Sequence, residues 1–165
     1  MLAELRIVNF ALIEQLSLQF QSGFTVLTGE TGAGKSLLID AIALLVGGRA
    51  STDQIRSGED EAQLEAAFHL PNAHPLPQRL RVPEIIGRNQ SELILRRVPS
   101  RSGRHRVYVN GSLCPQRVLE ELGGTLVDIH GQHEQQSLLA APKQMEALDA
   151  FGRLYALRGR YEEAY

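Results

Sequence analysis

At 165 residues the chain is long enough for one domain with a real core, and its 43% hydrophobic and 22% charged content excludes a disordered or fibrous protein. A net charge of −2 argues against a uniformly basic nucleic-acid-binding surface. Cys114 is single, so no internal disulfide can form, and no bilayer-length apolar run or signal-peptide pattern is found; a cytoplasmic protein without a membrane partner is expected.

Taken in order, Leu5–Phe10 and Leu16–Phe20 read as strands, the second with clean alternation of apolar and polar residues. Gln21-Ser22-Gly23 turns the chain into a short β-prone run, Phe24–Thr28. Gly29-Glu30-Thr31-Gly32-Ala33-Gly34-Lys35-Ser36 follows and fits G-x-x-x-x-G-K-[ST] at every fixed position. Leu37–Val46 then reads as a helix, apolar nearly all round and so expected to be buried, ended by Gly47-Gly48. Asp40 is its one charged residue, on the same face as Ser36, where it either supports that side chain or bonds within the helix.

A polar connection from Ala50 to Asp60 leads to a strand at Gln63–Leu70, and four prolines then break regular structure over residues 71–84. Leu93–Val98 and Arg104–Val109 form two more expected strands, with Asn110-Gly111 as a tight-turn signal. A short helix is expected from Pro115 to Leu122, then a last strand at Thr125–Ile129. Eight arginines between Arg79 and Arg106 face only Glu84 and Glu92; the block is either a phosphate-contacting patch toward DNA or a set of solvated side chains. From Pro142 the chain turns helical, with Met145, Leu148, Phe151, Leu154, Tyr155 and Tyr161 on one stripe, as in a truncated coiled coil or a terminal helix packed on its own domain. The expected division is 1–141 for the main lobe and 142–165 for the helix.

The glycine motif carries chemistry for physical reasons. Gly29, Gly32 and Gly34 lack a Cβ, so the loop can wrap a polyphosphate with its N–H groups inward. The helix that follows adds unpaired N–H groups and a partial positive charge. Lys35 is expected to reach the β- and γ-phosphates of a nucleotide, and the Ser36 hydroxyl to ligate Mg²⁺. A glycine-rich turn that happens to bear a lysine is the plain alternative; spacing and flanks both argue against it.

The segment His130-Gly131-Gln132-His133-Glu134 leaves three readings beside that of a solvated loop. His133-Glu134 begins a zinc-protease pattern, but Ser137 stands where its second histidine belongs. Asp128, after Leu126-Val127, would be an acid holding Mg²⁺ through water, although no glutamate follows it directly. Alternatively, the Gln132 amide binds Mg²⁺ and orients a water on the γ-phosphate side.

The phosphate-loop segment through Ile42, with Leu5–Glu14 ahead of it and Asp128–Glu134 behind, resembles the RecN family of bacterial DNA-repair proteins, in the SMC-like branch of ABC-type ATPases. The resemblance covers essentially the whole chain and implies an α/β P-loop NTPase head lobe. That lobe would carry an antiparallel β subdomain and a mixed sheet around the loop helix. It implies that Gly29, Glu30, Thr31, Gly32, Ala33, Gly34, Lys35, Ser36 and Leu37 bind ATP, and that Gln132 is the Q-loop ligand of Mg²⁺ and of the attacking water, with Lys35 as its catalytic companion. Asp128 then belongs to the preceding strand. Arg56 matches an SMC arginine that approaches phosphate or DNA, and Asn9 and Phe10 fall where such heads contact the nucleoside.

In that family ATP lies between two heads of a dimer, each site completed by the partner's signature motif. The signature, the acidic pair after a hydrophobic run and the switch histidine are not found here; in the family they lie in a C-terminal half beyond the coiled coil. The expectation is an ATP-binding lobe of a nucleoid-associated ATPase acting in double-strand-break repair and recombination, with ATP-driven head engagement coupled to DNA binding and little turnover by this chain alone. Two other classes stand beside it: a stand-alone phosphate-loop kinase for a small molecule, and a non-catalytic scaffold.

Overall fold

The computed structural model describes residues 1–29, 34–70, 91–129 and 141–152, with 154, 157 and 161. The described chain falls into two units, Met1–Val127 and Asp128–Tyr165. The first is built on six strands: β1 (Leu2–Phe10), β2 (Ile13–Gln19), β3 (Gln63–His69), β4 (Glu92–Val98), β5 (Arg106–Val109) and β6 (Ser112–Cys114). They form one sheet in the order β2-β1-β3-β4-β5-β6. Every pairing among the described residues is antiparallel.

Alternation along the strands makes this sheet one-sided. Leu5 and Ile7 of β1, Leu64, Ala66 and Phe68 of β3, Leu93 and Leu95 of β4, and Val107 and Val109 of β5 are all buried on one face. Two helices lie on that face: α1 (Lys35–Leu45) against β3 and β4, and α2 (Gln116–Leu126) against β5. α1 contributes Ala41, Leu44 and Leu45, and α2 contributes Leu119 and Leu122. Asn110 and Gly111, at φ 48° and 82°, make the tight turn from β5 to β6 that the Asn-Gly pair demands. Strand β6 itself was not expected; at three residues it is too short to show a period.

Three expectations need correction. Phe24–Thr28 forms no strand, and Phe24, Val26 and Leu27 are exposed at 93%, 62% and 45%. A strand needs a neighbour for its N–H and C=O groups, and none pairs with this run among the described residues. The expected strand Thr125–Ile129 is also absent: α2 continues through Gly123 and Gly124 to Leu126, helped by the Thr125 hydroxyl donating to the Leu122 carbonyl at 2.8 Å. The phosphate-loop helix is not buried all round either, since Ile39 is 45% exposed and only its second half is sealed. In the second unit, α3 (Ala141–Phe151) leaves Met145, Leu148 and Phe151 exposed. Tyr155 of the expected stripe lies outside the described residues.

Candidate nucleotide-binding site

Gly34 sits at the N-cap of α1 with φ +84°, a left-handed conformation that favours glycine and lets the chain turn from the loop straight into the helix. No side chain caps this helix start, and its first turn holds no acidic residue. Among the described residues, no hydroxyl or carboxylate caps the leading N–H groups of α1. Lys35 and Ser36 occupy that first turn, with Ser36 exposed. The Lys35 ammonium donates to the Gly29 carbonyl, tying the two ends of the loop together. This donor set (open amides, one ammonium and one accessible hydroxyl) fits a polyphosphate, and the hydroxyl fits a hard divalent cation. Glu30, Thr31, Gly32 and Ala33 lie outside the described residues. Leu37 is half-buried, and Asp40 is exposed with no hydrogen bond to Ser36 among the described residues.

A second cluster forms where β1 turns into β2. Asn9 and Ala11 adopt φ 55° and 49°, left-handed conformations that are strained for residues with a Cβ. The loop after the short 3-10 turn Thr52–Gln54 holds them there. Ala11 N–H donates to Gln54 O at 2.7 Å and Arg56 N–H to Asn9 O at 3.0 Å. The Asn9 amide donates to Glu59 Oε2 at 3.0 Å, and Arg56 Nη1 donates to Leu12 O at 2.8 Å. Asn9, Phe10 and Arg56, far apart in sequence, are thus neighbours. Phe10 is only 1% exposed, so its ring belongs to the core and only its backbone remains available to a ligand.

Of the five described arginines of the block, four are engaged within the chain. Arg96 lies over the Tyr108 ring at 4.4 Å, and Arg106 pairs with Glu61 at 2.5 Å. Arg101 donates to the backbone of residues 55–59 and Arg97 is fully buried, while Arg104 stays exposed. Arg79, Arg81 and Arg88 lie outside the described residues. Arg97 was missed as a structural residue, although the signal was there: with Leu93 and Leu95 it falls on the inward face of β4. Its Nη1 donates to Leu44 O at 2.6 Å and also to Gly48 O, closing the C-terminal end of α1. Burial pulls its pKa below the ordinary arginine value, and the nearby Glu120 carboxylate opposes that shift.

Residues 4–109 match the family model described as an AAA domain, well over half of the chain. The chain belongs to the AAA domain family. Within it, the chain is similar over its full length to the DNA repair protein RecN of Bacillus subtilis strain 168, at 45% identity. It spans 29% of that relative's length. The DNA repair protein RecN of Vibrio cholerae is 43% identical over 92% of the chain, again matching 27% of the relative. Among solved structures, the SMC head domain from Thermotoga maritima aligns at a TM-score of 0.57 and 23% identity, over 73% of this chain and 41% of that one, a likeness of fold. The AAA assignment agrees with a phosphate loop leading into α1. Gln132, the remaining residue expected at the site, lies outside the described residues, and Asp128 opens the second unit.

Proposed function

We propose that this chain is the ATP-binding N-terminal lobe of a RecN-like, SMC-family ATPase acting in DNA double-strand-break repair. The observation that carries the proposal is Gly34-Lys35-Ser36 at the uncapped start of α1, in a chain that is 45% identical to a DNA repair protein. Gly29 to Leu37 bind the triphosphate, Lys35 neutralising its β- and γ-oxygens and Ser36 holding Mg²⁺, with Gln132 as the second metal ligand and the orienter of water. Mg²⁺, when bound, neutralises charge on the phosphates. Asn9 and the Phe10 backbone approach the nucleoside, and Arg56 approaches phosphate of the nucleotide or of DNA.

In the same reading, residues 1–141 are the lobe and 142–165 begin a coiled coil whose exposed Met145–Leu148–Phe151 stripe meets a partner helix. The rest of the head, a second head in a homodimer, and DNA are the partners, in the cytoplasm at the nucleoid. Charge stabilisation by Lys35 and Mg²⁺ alone does not activate water, so hydrolysis belongs to the complete, paired heads.

Titrating the complete protein with a fluorescent ATP analogue in Mg²⁺ tests this. Lys35→Ala is expected to weaken binding by at least about 100-fold, and Ser36→Ala to weaken it only when Mg²⁺ is present. This chain alone is expected to bind weakly and turn over little. Binding indifferent to Lys35→Ala would refute the proposal.

A further inference from the structure

Arg101 was expected to face solvent or DNA, yet its guanidinium is spent on the chain's own backbone. Nε donates to Glu59 O at 2.8 Å, while Nη2 reaches Ile55 O at 3.2 Å and Arg56 O at 3.3 Å. Its backbone N–H adds a bond to Asp60 O at 2.9 Å, beside the bridge between Glu61 and Ser100. One planar fork therefore gathers the carbonyls of residues 55, 56 and 59, which a single rotatable ammonium would not hold in a fixed plane. The opposite side of the same loop holds the strained turn at Asn9–Leu12, through Arg56 and Glu59.

We infer that Arg101 is a positioning residue for the phosphate-facing cluster: it fixes the Ile55–Asp60 loop from behind, and the loop fixes Arg56 and the Asn9–Leu12 turn. The inference rests on the proposed role of Arg56 toward phosphate, whether of a nucleotide or of DNA. The left-handed Asn9 and Ala11 have no glycine to relieve them, so their geometry depends on the loop staying in place. Arg104, three residues on and exposed, supplies the matched control of equal charge.

The test uses the complete protein, titrated separately with Mg²⁺-ATP and with duplex DNA, and amide hydrogen exchange over residues 9–12 and 55–60. In whichever titration Arg56→Ala weakens binding, Arg101→Ala is expected to weaken it about tenfold, the loss of one or two net hydrogen bonds. The double variant is expected to be no worse than the poorer single, because both act through one loop. Arg104→Ala is expected to change Mg²⁺-ATP binding by less than about twofold. Exchange over 9–12 and 55–60 is expected to quicken in Arg101→Ala and to recover partly in Arg101→Lys, which also serves if the alanine variant folds poorly.

Strictly additive losses, or unchanged exchange in both Arg101 variants, would overturn the inference. So would an Arg56→Ala effect that Arg101→Ala does not share, or an Arg56→Ala without effect in both titrations. Failure of the ATP reading shows elsewhere, as indifference to Lys35→Ala, while the exchange measurement still reports on Arg101.

Discussion

A guanidinium sealed from water ordinarily has its N–H groups matched by acceptors. Arg97 is 0% exposed, and among the described residues its Nε and Nη2 find no hydrogen-bond partner, while Nη1 serves both Leu44 O and Gly48 O. The side chain stabilises the end of α1 while its burial disfavours the charge, a penalty that the nearby Glu120 carboxylate reduces. Arg97→Lys keeps an ammonium for the two carbonyls and is expected to unfold within about 1 kcal/mol of the parent. Arg97→Ala removes both bonds to the end of α1 and opens a cavity, and is expected to lose about 2–4 kcal/mol in denaturant unfolding. Charge reversal at Arg104 tests the surface instead: if DNA is bound along this edge, the salt dependence of binding flattens in Arg104→Glu. Reversal at Arg101 would confuse that experiment, because it would also release residues 55–59.

At the scale of elements, α2 crosses the end of α1 closely enough that only hydrogen fits. A Cβ on Gly123 would lie 2.0 Å from Val46 O, and one on Gly47 would lie 2.7 Å from Glu120 Cα. Gly123→Ala is therefore expected to cost about 1–3 kcal/mol, since both nearest atoms are backbone and cannot swing aside. Gly124 has nothing within 4 Å of its would-be Cβ and sits within the same helix. Gly124→Ala is expected to stabilise by about 0.5–1 kcal/mol, so the two neighbours should move the unfolding midpoint in opposite directions. Elements bound by local rules were legible from sequence: β2 from alternation, β1, β3 and β4 as short strand-like runs, α1 from its loop, and the β5–β6 turn from Asn110-Gly111. Phe24–Thr28 and Thr125–Ile129 were not, because a strand exists only with a neighbour, and β-propensity says nothing about whether one is present. The phosphate loop was legible for the opposite reason, its chemistry being local. Arg101 was opaque because its acceptors lie more than 40 residues away.

The whole molecule shows an antiparallel layer with a sealed inner face, and beside it an apolar run at Phe24, Val26 and Leu27 left bare. The chain spans 29% of the length of its Bacillus subtilis relative. Amides of residues 24–28 are expected to exchange quickly in this chain alone and, if further strands pair with them, slowly in the full-length protein. Equal rates in the two would mean that this run never joins a sheet. The two ends of α1 are held differently. Its far end is pinned by Arg97 and by the glycine crossing, while its loop end, about 16 Å away, is half open. The helix is thus most firmly anchored at Leu44–Gly48, and Ser36 stands at its least buried end, where a ligand meets it first.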